Sequence, residues 1–145
     1  MKRILSFACL VVLMIGTTAA WMQSQQAQPK PYKVAFDLTS SDPLDQKAVM
    51  RWIKEVSGVN PKNEMEVVMY GRGLDLVVSG KSTMASDIAE AMKMTNVKFN
   101  ACAIAMKNQQ VEKSQLLPNV GIVPDGIGEL VAKQNAGWGY IKVGH

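Results

Sequence analysis

The chain has 145 residues, with 16 basic and 12 acidic side chains and a formal net charge of +4. Two basic residues lie in an N-terminal segment that we expect to be removed, which leaves 14 basic against 12 acidic residues, a net charge of +2. So balanced a charge argues against a nucleic-acid-binding surface. The remaining length suffices for one domain with its own core.

The first 20 residues have the order of a secretory signal peptide. Lys2 and Arg3 form a positive start, residues 4–15 are mainly apolar, and residues 18–20 are small, as a cleavage site requires. The apolar run is shorter than the about 20 residues of a membrane-spanning helix, and retention as an uncleaved anchor is the alternative. We therefore predict export to the periplasm or the medium of a bacterium, with no membrane attachment after cleavage.

The remainder divides into a polar lead-in and one domain. Residues 21–31 contain two prolines and no apolar period, so a flexible lead-in is predicted there. Residues 32–145 form the domain. Short runs rich in β-branched and aromatic residues predict five strands, at 32–39, 64–70, 97–101, 120–123 and 138–143.

Helices are predicted between the strands. Asp42 and Pro43 suit the start of the first helix, and Asp125 suits the start of the last. A short helix should run from Cys102 to about Gln110, whereas LDLVVSGKS fits either a strand or a helix. Helical spacing predicts three buried faces: Ala48, Val49, Trp52, Ile53 and Val56; Met84, Ala85, Ile88, Ala89 and Met92; and Ile127, Leu130, Val131 and Gln134.

Strands that alternate with helices predict an α/β fold with a parallel sheet covered on both faces. In such a sheet the loops after the strands emerge at one edge, and ligands bind there. Those loops contain TSSDP, GRG, NAC and PDG. We expect six of their side chains to share that edge: Ser40, Ser41, Arg72, Asn100, Cys102 and Asp125.

Cys102 is the only cysteine that remains once the segment with Cys9 is removed. Cysteine is often buried, so a structural role is one interpretation. A helix N-terminus, however, favours the reactive thiolate, and an unpaired thiol in an oxidising compartment is a liability unless it is used. We predict that Cys102 is catalytic.

The loop Gly71, Arg72 and Gly73 is either a tight turn or an anion-binding loop, since its N–H groups and guanidinium could hold an anion near Cys102. The GKS at 80–82 is not a phosphate-binding loop, because Asp75 stands where that motif needs glycine.

No cofactor motif and no zinc cluster is visible, and we expect neither cofactor nor metal. Met92, Met94 and Met106 could bind copper(I) with the thiolate, but methionines at helical spacing are more often core filler. Glu64 and Glu66 occupy the polar side of a strand and are expected to be solvated.

Several stretches resemble the DsrE family, in particular its small exported members: YKVAFDLTSSDP, YGRGLDLVVSGKS, VKFNAC followed by AM, LLP before VGIVPDGIGEL, and GWGYIKV. The resemblance covers residues 32–145. It implies a three-layer α/β/α sandwich around a five-stranded, mainly parallel sheet, assembled as a homotrimer or hexamer. At Cys102 it implies the cysteine that accepts sulfur as a persulfide in the relay members. Those relays work in the cytoplasm with partner subunits, so the resemblance does not extend to their pathway.

Two functions are open at this point. The first is a periplasmic sulfur-handling protein with a persulfide on Cys102, a site completed by Arg72, Asn100, Gly71 and Gly73, and a sulfur donor or acceptor protein as partner. The second is a non-catalytic oligomeric module that binds a small anion or a protein, with Cys102 structural.

Overall fold

The computed structural model describes residues 29–144. The predicted signal peptide, residues 1–20, and residues 21–28 of the lead-in lie outside the described residues. Within 29–144, no helix has both the length and the apolar character needed to cross a membrane.

Five strands form one sheet in which every neighbouring pair is parallel. They are β1 (Lys33–Leu38), β2 (Glu64–Met69), β3 (Val97–Cys102), β4 (Gly121–Val123) and β5 (Gly139–Val143). The order across the sheet is β4-β3-β2-β1-β5. The predicted α/β class with a five-stranded parallel sheet is thus confirmed.

Four α-helices connect the strands: α1 (Pro43–Val59), α2 (Ala85–Ala91), α3 (Ala103–Asn108) and α4 (Gly126–Asn135). Asp42 caps α1, since its carboxylate accepts the N–H of Leu44 at 2.7 Å. The ambiguous LDLVVSGKS begins inside a 3₁₀ helix (Gly71–Leu76) and continues in turns, where Val78 forms an isolated antiparallel bridge with Leu116. A second 3₁₀ helix covers Lys113–Gln115.

Alternate residues of the strands face two apolar clusters of unequal size. The larger cluster packs one face of the sheet, the first face, against α1, α2 and α3. Its fully buried members include Phe36, Phe99, Val49, Ile53 and Ile88. The smaller cluster, on the second face, consists of Ala35, Val68 and Leu130 of α4. Helices therefore cover both faces.

The predicted apolar stripe of α4 is right at Leu130 and wrong at Ile127, Val131 and Gln134. Ile127 is 60% exposed and Val131 is 50% exposed, whereas Gly126 and Leu130 are the buried residues of this helix. The reason lies in the second face of the sheet, which carries buried polar groups as well as apolar ones. Because that face is partly polar, α4 packs through one leucine and a lysine instead of a wide apolar stripe.

The prediction that Glu66 is solvated is wrong, because Glu66 is buried beside that lysine, Lys133. Glu66 is fully buried at 0% exposure, with its Oε2 2.6 Å from Nζ of Lys133. Asn100 donates to the other oxygen at 2.9 Å. Burial lowers the pKa of Lys133, but the hydrogen bond and charge of Glu66 outweigh it, so the pKa of Lys133 is raised. Glu64 remains partly exposed and pairs with Lys33 at 2.9 Å.

Candidate functional site

The connections that follow β3 and β4 leave the sheet on opposite faces. After β3 the chain enters α3, which packs in the first-face cluster, and after β4 it enters α4, which packs on the second face. Ligands of open α/β sheets bind at the carboxyl ends of two such adjacent strands. Cys102 and Val123 are paired at that point. The candidate site therefore centres on Cys102.

Cys102 is the last residue of β3 and stands directly before α3. It is 4% exposed, and its Sγ accepts a hydrogen bond from the N–H of Gly126 at 3.2 Å. Gly126 is the first residue of α4, a ten-residue helix, whereas α3 has six residues. The helix N-terminus that contacts the sulfur is thus that of α4, which follows the neighbouring strand β4, and not that of α3.

The other N–H groups of the first turn of α4 have partners of their own. The Asp125 carboxylate accepts the N–H of Ile127 at 3.1 Å and that of Gly128 at 3.0 Å. This leaves the N–H of Gly126 for the sulfur. A helix N-terminus carries a partial positive charge and favours an anion.

Gly126 makes this close approach possible. A Cβ added at this position would lie 3.2 Å from Cδ1 of Tyr70 and 3.3 Å from Cβ of Cys102. Both distances are shorter than ordinary van der Waals contact, so a side chain here would require Tyr70, Cys102 or the start of α4 to shift by a few tenths of an ångström. The absence of a Cβ lets the backbone N–H reach Sγ.

Tyr70, the residue beside Gly126, belongs to a cluster with Asp37 and Tyr140. Both tyrosine hydroxyls donate to Oδ2 of Asp37, at 3.2 Å from Tyr70 and 2.6 Å from Tyr140. Asp37 is buried, and its Oδ1 has no hydrogen-bond partner among the described residues. Burial, and then the charge of Asp37, raise the pKa of Tyr70, with a smaller effect of Cys102. The hydrogen bond to Asp37 raises the pKa of Tyr140 to about 12.

Arg72 lies on the loop after β2, at the same edge of the sheet. Its Nε donates to Oγ of Ser41 at 3.2 Å, its Nη2 lies 3.9 Å from Oδ2 of Asp75, and its side chain is 77% exposed. The structure thus brings Arg72 and Ser41 together as expected. Within residues 29–144, the hydrogen bonds and ion pairs of Arg72 go to these two residues and not to Cys102.

The two glycines beside Arg72 begin the first 3₁₀ helix. Gly71 has a φ of +50°, and its carbonyl accepts from Nε2 of Gln109 at 2.5 Å. Gly73 packs directly on the end of β1, where an added Cβ would lie 2.0 Å from the carbonyl oxygen of Leu38. The loop is therefore a tight turn fixed to its neighbours, and the N–H of Gly73 closes that turn by donating to the carbonyl of Tyr70 at 3.0 Å rather than facing an anion site.

Asn100 does not occupy a loop. It lies within β3, aligned with Val68 of β2, and its side-chain amide donates to Glu66. A Cβ on Gly121 of the adjacent strand would lie 2.1 Å from Oδ1 of Asn100, so this side chain is closely packed from both sides. Its amide N–H is committed to the Glu66 carboxylate rather than to the sulfur.

The methionines considered as copper ligands contribute to the core. Met106 is buried in the first-face cluster, and Met92 and Met94 pack against it. Across residues 29–144, no three His, Cys, Asp or Glu side chains are grouped so that they could hold a metal ion.

Four residues at the site escaped the sequence-based interpretation: Asp37, Tyr70, Gly126 and Tyr140. Two signals were available for them. Tyr70 ends a predicted parallel strand and Asp37 lies two residues before the end of another, so a meeting of this hydroxyl and carboxylate near the edge could be expected. Gly126 directly follows the predicted cap Asp125. The contact between Tyr140 and Asp37 depends on β5 pairing with β1, which the sequence pattern does not specify.

Fold and site together define a small parallel α/β protein. Its described residues contain a single thiol, which lies at the carboxyl ends of β3 and β4, where the connections leave the sheet on opposite faces. A family model places the chain more narrowly. The model of the DsrE/DsrF-like family matches residues 32–143, and the chain belongs to that family.

Solved structures agree with this placement. MTH1491 of Methanobacterium thermoautotrophicum, described as a protein of unknown function, is 25% identical with a TM-score of 0.72, and the match covers 77% of this chain and 98% of that one. BT1422 of Bacteroides thetaiotaomicron is 16% identical with a TM-score of 0.62, covering 77% and 94%. The ychN protein of E. coli is 10% identical with a TM-score of 0.64, covering 78% and 99%. No functionally curated protein matches the chain significantly.

Proposed function

We propose that the protein handles sulfur and carries it as a persulfide on Cys102. The observation that supports this most is the hydrogen bond from the N–H of Gly126 to Sγ at 3.2 Å. This hydrogen bond stabilises an anionic sulfur at the carboxyl ends of β3 and β4, where proteins of this fold bind ligands. Membership of the DsrE/DsrF-like family, which is linked to sulfur relay, supports the same class of chemistry.

The transfer requires no external oxidant or reductant. The Cys102 thiolate attacks the outer sulfur of a donor persulfide R–S–SH, so that a new S–S bond forms and the donor S–S bond breaks. The donor leaves as RS⁻ and takes up the proton that the Cys102 thiol gave up. The products are the Cys102 persulfide and R–SH. An acceptor thiolate then attacks the outer sulfur, and Cys102 leaves as a thiolate.

The remaining predicted site residues have distinct roles in this proposal. Arg72 is exposed at the edge and attracts an anionic sulfur donor, and the N–H of Gly71 adds to the positive potential there, whereas the N–H of Gly73 already donates to the carbonyl of Tyr70 at 3.0 Å. Asn100 acts more indirectly, because its amide holds Glu66 under α4. A donor or acceptor protein is the expected partner.

Intact-mass measurement after incubation with polysulfide tests the proposal. The mature protein should gain the mass of one sulfur atom in a form that dithiothreitol removes, and Cys102→Ser should gain none. A wild-type protein that stays unmodified under native conditions would overturn the proposal.

One observation favours the second candidate function, a non-catalytic binding module with a structural cysteine. Cys102 is 4% exposed, and burial hides a thiol from reagents. The two candidates differ in the behaviour of the folded protein towards iodoacetamide. The sulfur carrier alkylates faster at pH 6 than a free thiol does, whereas the structural cysteine reacts only after denaturation.

We also propose that the protein works outside the cytoplasm of a bacterium. The N-terminal order of charge, apolar run and small residues supports export. N-terminal sequencing of the periplasmic protein should begin near Trp21. A periplasmic chain that begins at Met1 would contradict cleavage.

A further inference from the structure

A continuous chain of contacts leads from β5 to the sulfur of Cys102. The hydroxyls of Tyr140 and Tyr70 meet on Oδ2 of Asp37, the ring of Tyr70 lies against Gly126, and the N–H of Gly126 donates to Sγ of Cys102. These residues come from β5, β1, the end of β2, the start of α4 and the end of β3. Residues in or next to every strand except β4 therefore help to position one hydrogen bond, the one from Gly126 to Cys102.

The carboxylate in this chain is not a fully satisfied structural group. Asp37 is 3% exposed, and its Oδ1 accepts no hydrogen bond within residues 29–144. A buried polar atom without a partner is destabilising, and native proteins seldom keep one away from functional sites. Both donors to Asp37 sit on Oδ2, so the two tyrosines alone stabilise its charge.

The surroundings of the sulfur explain why those donors matter. Asp37 on β1 and Asp125 before α4 are the acidic groups that act on Tyr70 together with the thiol. Tyr70 links Asp37 to the sulfur site, because its hydroxyl donates to Asp37 and its ring lies against the start of α4. The N–H of Gly126 at that helix start favours an anion.

We propose that Tyr70 and Gly126 are positioning residues for Cys102: the Tyr70 ring holds the start of α4 against the sulfur, and the hydrogen bond from the Tyr70 hydroxyl to Asp37 fixes that ring in place. This inference rests on the proposed sulfur-carrier function and names the residues that tune its nucleophile. Tyr140 acts at one remove, through Asp37 only, and does not touch Gly126.

The test is the pH dependence of Cys102 alkylation in the full mature chain. Tyr70→Phe keeps the ring and removes the hydroxyl, and Gly126→Ala adds a carbon for which Tyr70 or Cys102 must shift by a few tenths of an ångström. Both should move the midpoint of the pH–rate profile upward by about half a unit, which is a loss of about threefold in thiolate at pH 6. Tyr140→Phe should move it in the same direction by less.

The chain offers a matched control for each variant. Tyr32 is the third of the three tyrosines and lies just before β1, away from Asp37, so Tyr32→Phe should leave the profile unchanged. Gly58 lies in α1 with nothing within 4 Å of an added Cβ, so Gly58→Ala controls for a glycine substitution in a helix. Circular dichroism establishes that each variant is folded, and Tyr70→Phe carries the test if Gly126→Ala does not fold.

The outcomes separate this inference from the function on which it rests. If wild-type Cys102 forms a persulfide but Tyr70→Phe keeps the wild-type midpoint, the positioning role of Tyr70 is overturned and the sulfur carrier stands. If wild-type Cys102 takes up no sulfur, the proposed function itself fails. An upward shift in Tyr70→Phe and Gly126→Ala, with neither control shifted, establishes the positioning roles.

Discussion

In the ion pair between Glu66 and Lys133, the carboxylate is buried and the lysine side chain is partly exposed to solvent. Glu66 is fully enclosed, while the lysine side chain is about one-fifth exposed and lies over the ring of Trp138, with Nζ 4.6 Å from the centroid. A buried charge that loses its partner keeps its desolvation penalty without compensation. The lysine therefore neutralises a charge that the second face could not otherwise hold.

Lys133→Met should accordingly lower the free energy of unfolding by about 3 kcal/mol, as measured by urea denaturation. Adding Glu66→Gln should recover part of that loss, because the buried charge is then gone. Lys54→Met is the control: Lys54 pairs with Asp87 at 3.6 Å on the surface, so its loss should change stability by less than about 1 kcal/mol. Equal effects of the two lysine variants would contradict this view of the buried pair.

Tyr140 gives a prediction that depends on alkaline pH. Its pKa is raised to about 12 by the hydrogen bond to Asp37, compared with 10 in the unfolded chain. A group whose folded pKa is raised contributes stability that is complete below the unfolded pKa and is lost as pH rises through the folded pKa. The contribution of the Tyr140 hydroxyl is therefore present below about pH 10 and disappears towards pH 12.

Urea denaturation of wild type and Tyr140→Phe should show this directly. Because Tyr140 is partly solvent-exposed, we expect a difference of only about 1 kcal/mol at pH 8. The difference should narrow between pH 10 and pH 11.5. A constant difference over that range would show that the hydroxyl stabilises the fold by some means other than its bond to Asp37.

At the scale of the elements, the strands and the helix starts were predictable because each depends on neighbouring residues. Alternation marks β1 and β2, and Asp42 and Asp125 cap α1 and α4 as expected. Side-chain burial was less predictable. Alternation along β2 predicts that Glu66 points to the face opposite the apolar residues. It does not predict whether solvent or α4 covers that face.

The contacts at the candidate site were harder still, because they join residues that are distant in sequence. Cys102 and Gly126 are 24 residues apart, and Asp37 and Tyr140 are 103 apart. The first contact requires α4 to cross to the second face, and the second requires β5 to pair with β1. Both are properties of strand order, which a periodic pattern in one sequence does not encode.

The junction between β1 and the first 3₁₀ helix gives a prediction at the same scale. Gly73 leaves no room for a side chain, since an added Cβ would lie 2.0 Å from the oxygen and 2.7 Å from the carbon of the Leu38 carbonyl group. Backbone cannot yield as a flexible side chain can, so Gly73→Ala should destabilise the protein by more than about 2 kcal/mol. Thermal denaturation beside Gly58→Ala, which should be neutral or slightly stabilising, provides the comparison.

At the scale of the whole molecule, apolar side chains remain exposed on the face that α4 covers. Ile127 and Val131 of α4 are at least half exposed, and Tyr140 of β5 is also exposed. Adjacent exposed apolar residues mark interaction surfaces more often than they mark free surface. We propose that they lie between copies of this chain in a homotrimer or hexamer, the assemblies that the family resemblance implies.

Light scattering on the mature protein at micromolar concentration should give the mass of a trimer or of a multiple of it. Val131→Lys should shift the protein towards the monomer, because a charge would be buried at an apolar contact. Leu44→Lys, at an apolar position at the start of α1 that is more exposed than Val131, should leave the assembly intact. A wild-type monomer would rule out this assembly.

The position of β5 has a consequence for how the sheet is completed during folding. Among the described residues β1 is the first element in sequence, yet its outer neighbour in the sheet, β5, is the last. Until residues 139–143 pair with β1, one side of this strand is an open sheet edge on which another chain could pair, and Asp37 has a single tyrosine donor. Such long-range closure slows folding. A chain that stops at Gly137 would therefore keep the residues of its helices and its cysteine and yet leave this edge of β1 open to pairing with another chain.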